Sequence, residues 1–153
     1  MVVLSIFKSM WADYIKPLVQ RPRGLQVGAL CHRQGENGRE VLLISSSSGR
    51  WILPKGWPID GLTAGEAAQQ EAWEEAGIKK SYVAKEAVGT FLTKKRFDTG
   101  AVLACDMKVF SVAVSKVVND FPEADRRKRV WVSPKRAAEM VDETGLKTLL
   151  ADF

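Results

Sequence analysis

The stretch QEAWEEAGI, Gln70 to Ile78, sets three carboxylates, Glu71, Glu74 and Glu75, within little more than one helical turn. Like charges three and four residues apart share a helical face and repel by a few tenths of a kcal/mol per pair. The helix itself is well signalled. Thr63 and Glu66 have the spacing of a capping box, which predicts a start near Ala64. Ala67, Ala68, Ala72 and Ala76 allow close packing, and Gly77 is a natural C-terminal stop. The acid crowding therefore falls on a defined helix and asks for a physical reason.

One reason is a divalent cation. Magnesium and manganese prefer oxygen ligands, and magnesium binds through a few carboxylates, waters and substrate phosphates. An ion would offset the repulsion, polarise a phosphoryl oxygen and activate a water. The alternative is a solvated acidic helix face, and spacing alone leaves both open.

Outward from the helix, Gly- and Pro-rich KGWPIDGLTAGE precedes it, and RWILP is a short strand before that. Leu25–Arg33 and Glu40–Ser45 read as strands joined by the turn QGENGR. After the helix, Val83–Arg96 and Leu103–Val114 read as strands about FDTGA, and Arg129–Ser133 as a short one. Ser133 before Pro134 starts a helix to about Val141, and a last short helix begins at Leu146. Strands in the middle with helices on either side predict an α/β/α arrangement.

Length and composition agree with this reading. The chain has 153 residues, 46% hydrophobic and 27% charged, as one soluble globular domain would. No apolar run reaches the roughly 18–20 residues that span a bilayer. The opening MVVLSIFKSMWADYIKPLVQ lacks a basic leader and a small-residue cleavage site, which argues against a signal peptide. It reads as an N-terminal helical extension over residues 1–20, with Ile6, Phe7, Met10, Trp11 and Tyr14 on one stripe. Cys31 and Cys105 lie in apolar strands and read as buried free thiols of a cytoplasmic protein. A net charge of +5 favours anionic partners: nucleic acid, a membrane surface or a phosphorylated small molecule.

From Gly56 to Ile78 the chain resembles the Nudix box, G-x5-E-x7-R-E-U-x-E-E-x-G-U, with U a bulky apolar residue. Gly56, Glu71, Glu74, Glu75, Gly77 and Ile78 match. Leu62 stands where the box has its first Glu, Gln70 where it has Arg, and Ala72 where a bulkier residue is usual. The resemblance extends from about Arg23 to Leu150. It is most similar to the diphosphoinositol polyphosphate phosphohydrolase branch, through EVLLISSSSGRWILPKGWP, QEAWEEAGI and RRKRVWVSPKRAAEMV. It implies a Nudix-like α/β/α sandwich with a mixed central sheet. It also implies magnesium- or manganese-dependent hydrolysis of a pyrophosphate linkage in a diphosphoinositol or diadenosine polyphosphate. Carried over, Glu71 and Glu75 are the principal metal ligands. Glu74 is a further ligand or the base that orients water, Glu71 shares the catalytic role, and a carbonyl at Lys55 or Gly56 is an extra ligand.

Phosphates need cations, and the chain offers Arg23, Arg50, Lys55, Lys94, Arg96 and Arg127, the last within the run Arg126–Arg129. Lys94 and Arg96 fall on one strand face and Lys95 on the other. The serines of SSSSGR either donate to phosphate or form a polar turn. Trp57 is a candidate for the pocket mouth, and His32, the only histidine, reads as structural. Two other functions compete. One is an enzyme or binder of 5′-triphosphate RNA, against which stands the lack of an aromatic-basic recognition motif. The other is a silent ligand-binding module, for which Leu62 and Gln70 speak.

Overall fold

The computed structural model describes residues 24–153, so the predicted N-terminal helix and Arg23 lie outside the described residues. Within them the strands are β1 (Gly24–Gly35), β2 (Gly38–Ser45), β3 (Trp51–Ile52), β4 (Lys55–Gly56), β5 (Ile78–Arg96), β6 (Val102–Val117) and β7 (Arg129–Val132). The helices are α1 (Ala64–Ala76), α2 (Pro134–Met140) and α3 (Thr144–Asp152).

All seven strands join one mixed sheet. Its main path runs β3-β2-β1-β6-β5, with β4 on β1 and β7 on β2. β1 and β2 form a hairpin closed at Gly35↔Gly38. β1 lies parallel to β6 from Gly24↔Cys105 to His32↔Ala113, so the chain must cross over between them, and β2, β3, β4, α1 and β5 lie within that crossover. β5 and β6 are longer than the sequence suggests. Gly77, at φ 72°, turns the chain straight out of α1 into β5 at Ile78. Irregular register between Val83 and Gly89 then bends the long hairpin.

The helices cover opposite faces. α1 buries Ala67, Ala68, Ala72 and Ala76 against Val27, Leu42, Phe110 and Val112. α2 and α3 bury Ala137, Val141, Leu146 and Leu150 against Leu30, Leu43, Phe91 and Val109. Each fully buried Leu, Val or Phe contributes about 1.5–3 kcal/mol relative to exposure. The small face of α1 has a packing reason, since a Cβ on Gly65 would already lie 3.3 Å from Val83 and 3.4 Å from Phe110. The capping box is present: the Glu66 amide donates to Thr63 Oγ1 at 3.1 Å, and the Thr63 amide to Glu66 Oε1 at 2.9 Å. The cysteines are buried free thiols at opposite ends of the β1–β6 pairing. Among the described residues no helix is long and apolar enough to cross a membrane.

Candidate active site

A cleft of about 630 Å³ opens where α1 passes the ends of β1, β4 and β5. Its acidic wall comes from α1. At 100° per residue, Glu71 and Glu75 lie 40° apart around the helix, whereas Glu74 falls 60° to the other side of Glu71. Glu71 and Glu75 accordingly line the cleft and Glu74 does not. The Glu74 carboxylate instead accepts from Gln70 Nε2 at 3.0 Å. Among the described residues no three Asp, Glu, His or Cys side chains stand assembled as a metal cluster.

The strand-loop side fits tightly to those carboxylates. A Cβ on Gly56 would overlap the Glu71 carboxylate, so a larger residue there would displace that carboxylate. The Lys55 amide donates to Glu75 Oε2 at 3.1 Å. Burial pushes Glu71 up to about 7, helped by the charges of Glu74 and Glu123 and opposed by Arg127. Burial also pushes Glu75 up to about 7, against the pull of Arg127 and the Lys55 amide. Two carboxylates strained by desolvation beside a loop backbone are a donor set that suits a hard divalent cation. Glu71 and Glu75 could hold one.

The basic wall assembles from distant segments. Arg50, Lys55, Lys94, Arg96 and Arg127 all line the cleft, while Arg23 lies outside the described residues. The Ser46–Ser48 turn is ordered by its own bonds. The Arg50 amide donates to Ser46 Oγ at 3.0 Å, and Arg50 Nε to Ser48 Oγ at 3.3 Å. Lys55 is lowered by burial first, with the charges of Arg50 and Lys95 adding to it. Trp57 lines the cleft, 39% exposed.

The run Arg126–Arg129 divides by role. Arg126 and Arg127 line the cleft. Arg127 Nη1 donates to Ser45 O at 2.8 Å, and its Nη2 lies 3.1 Å from Glu123 Oε1 and 3.3 Å from Glu75 Oε1. Arg129 serves the fold. Its Nη1 donates to Ala76 O and Val118 O, each at 2.9 Å, which satisfies the C-terminal end of α1.

Three cleft residues escape the sequence reading. Glu123 belongs to no motif and gains its place only because its segment folds back on α1, where its amide donates to Glu74 O at 3.0 Å. Lys95, assigned to the strand face opposite Lys94 and Arg96, lines the cleft with them. Gln26 is a polar residue 2% exposed within a buried strand, a mismatch between type and burial that only coordinates reveal. His32 is not part of the cleft lining; its Nε2 lies 2.8 Å from Ser111 Oγ and its ring is edge-on to Phe153.

The model of the NUDIX domain matches residues 22–153. The chain belongs to the NUDIX domain family. It is 31% identical over 121 residues to Nudix hydrolase 12, mitochondrial, of Arabidopsis thaliana, covering 76% of this chain and 59% of that protein. The chain thus spans about three fifths of the length of that relative. Among solved structures, the Nudix fold here is similar to a C. elegans Ap4A hydrolase binary complex, with TM-score 0.62 and 22% identity over 85% of this chain and 94% of that one. It is also similar to the NUDIX domain of Shewanella oneidensis NrtR complexed with ADP ribose. There the TM-score is 0.65 and the identity 17%, over 94% of each chain. At such identities the structural likeness establishes the fold: a mixed sheet with helices on both faces.

Proposed function

We propose that this Nudix domain hydrolyses a pyrophosphate linkage in a highly phosphorylated small molecule, with a divalent cation, magnesium or manganese. The observation that carries the reading is that Glu71 and Glu75 line the same cleft as Arg50, Lys55, Lys94, Arg96 and Arg127. Carboxylates for a cation and basic groups for phosphates in one cleft suit a phosphoanhydride. The diphosphoinositol polyphosphate branch is the favoured substrate class, because so many basic groups exceed what one diphosphate needs. Ap4A, the substrate named for a fold neighbour, is a related polyphosphate.

In this reading Arg50 and the serine turn, with Lys55 and the end of β5, bind and orient the phosphates. Glu75, oriented by the Lys55 amide, would hold the cation. Glu71, which has no hydrogen bond or ion pair among the described residues, would hold the cation with Glu75 and take the proton of the attacking water. That water adds to one phosphorus, the bridging P–O bond breaks, and the leaving phosphate departs toward the basic wall. A bound cation supplies Lewis acidity to the phosphoryl oxygen. Glu74, held by Gln70 outside the cleft lining, keeps the α1 surface in order rather than acting on substrate.

The test is phosphate release with and without magnesium or manganese from an inositol pyrophosphate, diadenosine hexaphosphate, a nucleotide sugar and 5′-triphosphate RNA. Metal-dependent release from the first two is expected. Release from RNA alone would replace the substrate class, and tight binding with no release would make the domain a ligand-binding module.

A further inference from the structure

Gln26 stands apart from everything else in the cleft. It lies on β1 opposite Met107, is 2% exposed and lines the cleft, and its Oε1 is buried without a hydrogen-bond partner among the described residues. An orphaned buried acceptor is rare in a folded protein and needs a reason. The cations around it do not supply one, since the cleft as folded leaves Oε1 unpaired although Lys55 and Lys95 line the same space. Phosphates do not supply one either, because ionised phosphate oxygens only accept. What satisfies an amide oxygen is an O–H or N–H donor, and on a ligand with ionised phosphates such a donor sits on the organic part.

We infer that Gln26 is a specificity-determining residue that reads a hydrogen-bond donor, a hydroxyl or an amino group, on the moiety carrying the phosphates. This rests on the reading of the cleft as a phosphate site. It divides the wall into two functions: Arg50, Lys55 and the β5 cations hold charge, and Gln26 tests the organic scaffold between them. A scaffold with every hydroxyl phosphorylated leaves the Gln26 oxygen unpaired, whereas one free donor pairs it. The amide can rotate about its broad terminal torsion, so the acceptor reaches a ligand without backbone movement.

The experiment is a binding cycle on the full chain in EDTA, which needs no turnover. Affinities are measured for an inositol pentakisphosphate with one free hydroxyl against inositol hexakisphosphate, and for ATP against purine riboside triphosphate, which lacks the exocyclic amine. Each ratio is compared between the natural chain and Gln26→Leu, so that the charge difference within a pair cancels. The ratio in one arm should fall by about fivefold in the variant, the value of one neutral hydrogen bond. A fall in the inositol arm identifies a hydroxyl, and a fall in the purine arm an amine. Gln26→Glu, which keeps an acceptor, should retain the ratio. Should the leucine variant not fold, Gln26→Met serves in its place. Ratios unchanged in both arms, or no binding of any of the four ligands, would overturn the inference. A ratio that falls in a protein without metal-dependent phosphate release would sink the hydrolase reading and leave this one standing.

Discussion

Arg127 Nη2 sits 3.3 Å from Glu75 Oε1 and, with the same nitrogen, 3.1 Å from Glu123 Oε1. One guanidinium thus holds a box carboxylate and a carboxylate from a distant loop, while its Nη1 is fixed on Ser45 O. All three side chains are mostly buried, so these contacts are screened much less than surface pairs. Arg127 therefore both lines the cleft and is a counter-charge for the carboxylates beside it.

Removing that guanidinium leaves two carboxylates without their cation. Arg127→Ala should lower stability by about 2–4 kcal/mol in urea unfolding. The loss should be larger at pH 8 than at pH 5, because protonation of Glu75 below its pKa of about 7 removes the stranded charge. Equal losses at both pH values would show that Arg127 acts by packing alone.

Glu75→Gln keeps the shape of the side chain and one acceptor for the Lys55 amide, but removes the charge. Metal-dependent hydrolysis should fall at least about a hundredfold, the scale of losing several kcal/mol of charge stabilisation. The melting temperature should stay level or rise, since a buried charge is gone. Unchanged turnover would remove Glu75 from the metal site.

The raised carboxylates set the direction of the pH dependence. Glu71 and Glu75 ionise near pH 7 in the folded chain, above their ordinary value of 4.5. The folded state therefore binds more protons than the unfolded one between those values. Metal-free stability should fall as pH rises from about 4.5 through 7. Magnesium affinity should move the opposite way, strengthening as pH rises through 7 with proton release on binding. Calorimetry in buffers of different ionisation enthalpy measures that release, and zero proton release at pH 6.5 would contradict it.

Leu62 and Gln70 share a shallow surface depression away from the cleft, and Leu62 is 40% exposed. Gln70 already restrains Glu74. The double substitution Leu62→Glu with Gln70→Arg, which restores the charged pair of the box, should change stability by less than about 1 kcal/mol. Turnover should change no more than a few-fold. A tenfold gain would show that the neutral pair is a real loss.

Gly77 is irreplaceable for two independent reasons. Its φ of 72° disfavours any side chain, and a Cβ there would lie 2.5 Å from Val118 O and 2.6 Å from Phe121. Gly77→Ala should cost at least about 2 kcal/mol, read as a lower urea midpoint. A neutral effect would mean that the α1–β5 turn differs in solution.

What the sequence determined was local. The capping box at Thr63 and Glu66, the alanine face of α1, the stop at Gly77 and the start at Ser133 are each written within a few residues, because capping and helix periodicity are short-range. The spacing of Glu71, Glu74 and Glu75 likewise carried the chemical idea. Only the tertiary structure decided which carboxylates line the cleft, because the packing of the alanine face of α1 on the sheet brings Glu71 and Glu75 to it and leaves Glu74 to Gln70. Nor could order along the chain show that Arg129 closes α1 while Arg127, two residues earlier, faces the cleft. Glu123, Lys95 and Gln26 join the site through strand pairing and loop return. The parallel β1–β6 register juxtaposes residues some eighty positions apart, and that proximity is a property of the sheet rather than of any segment.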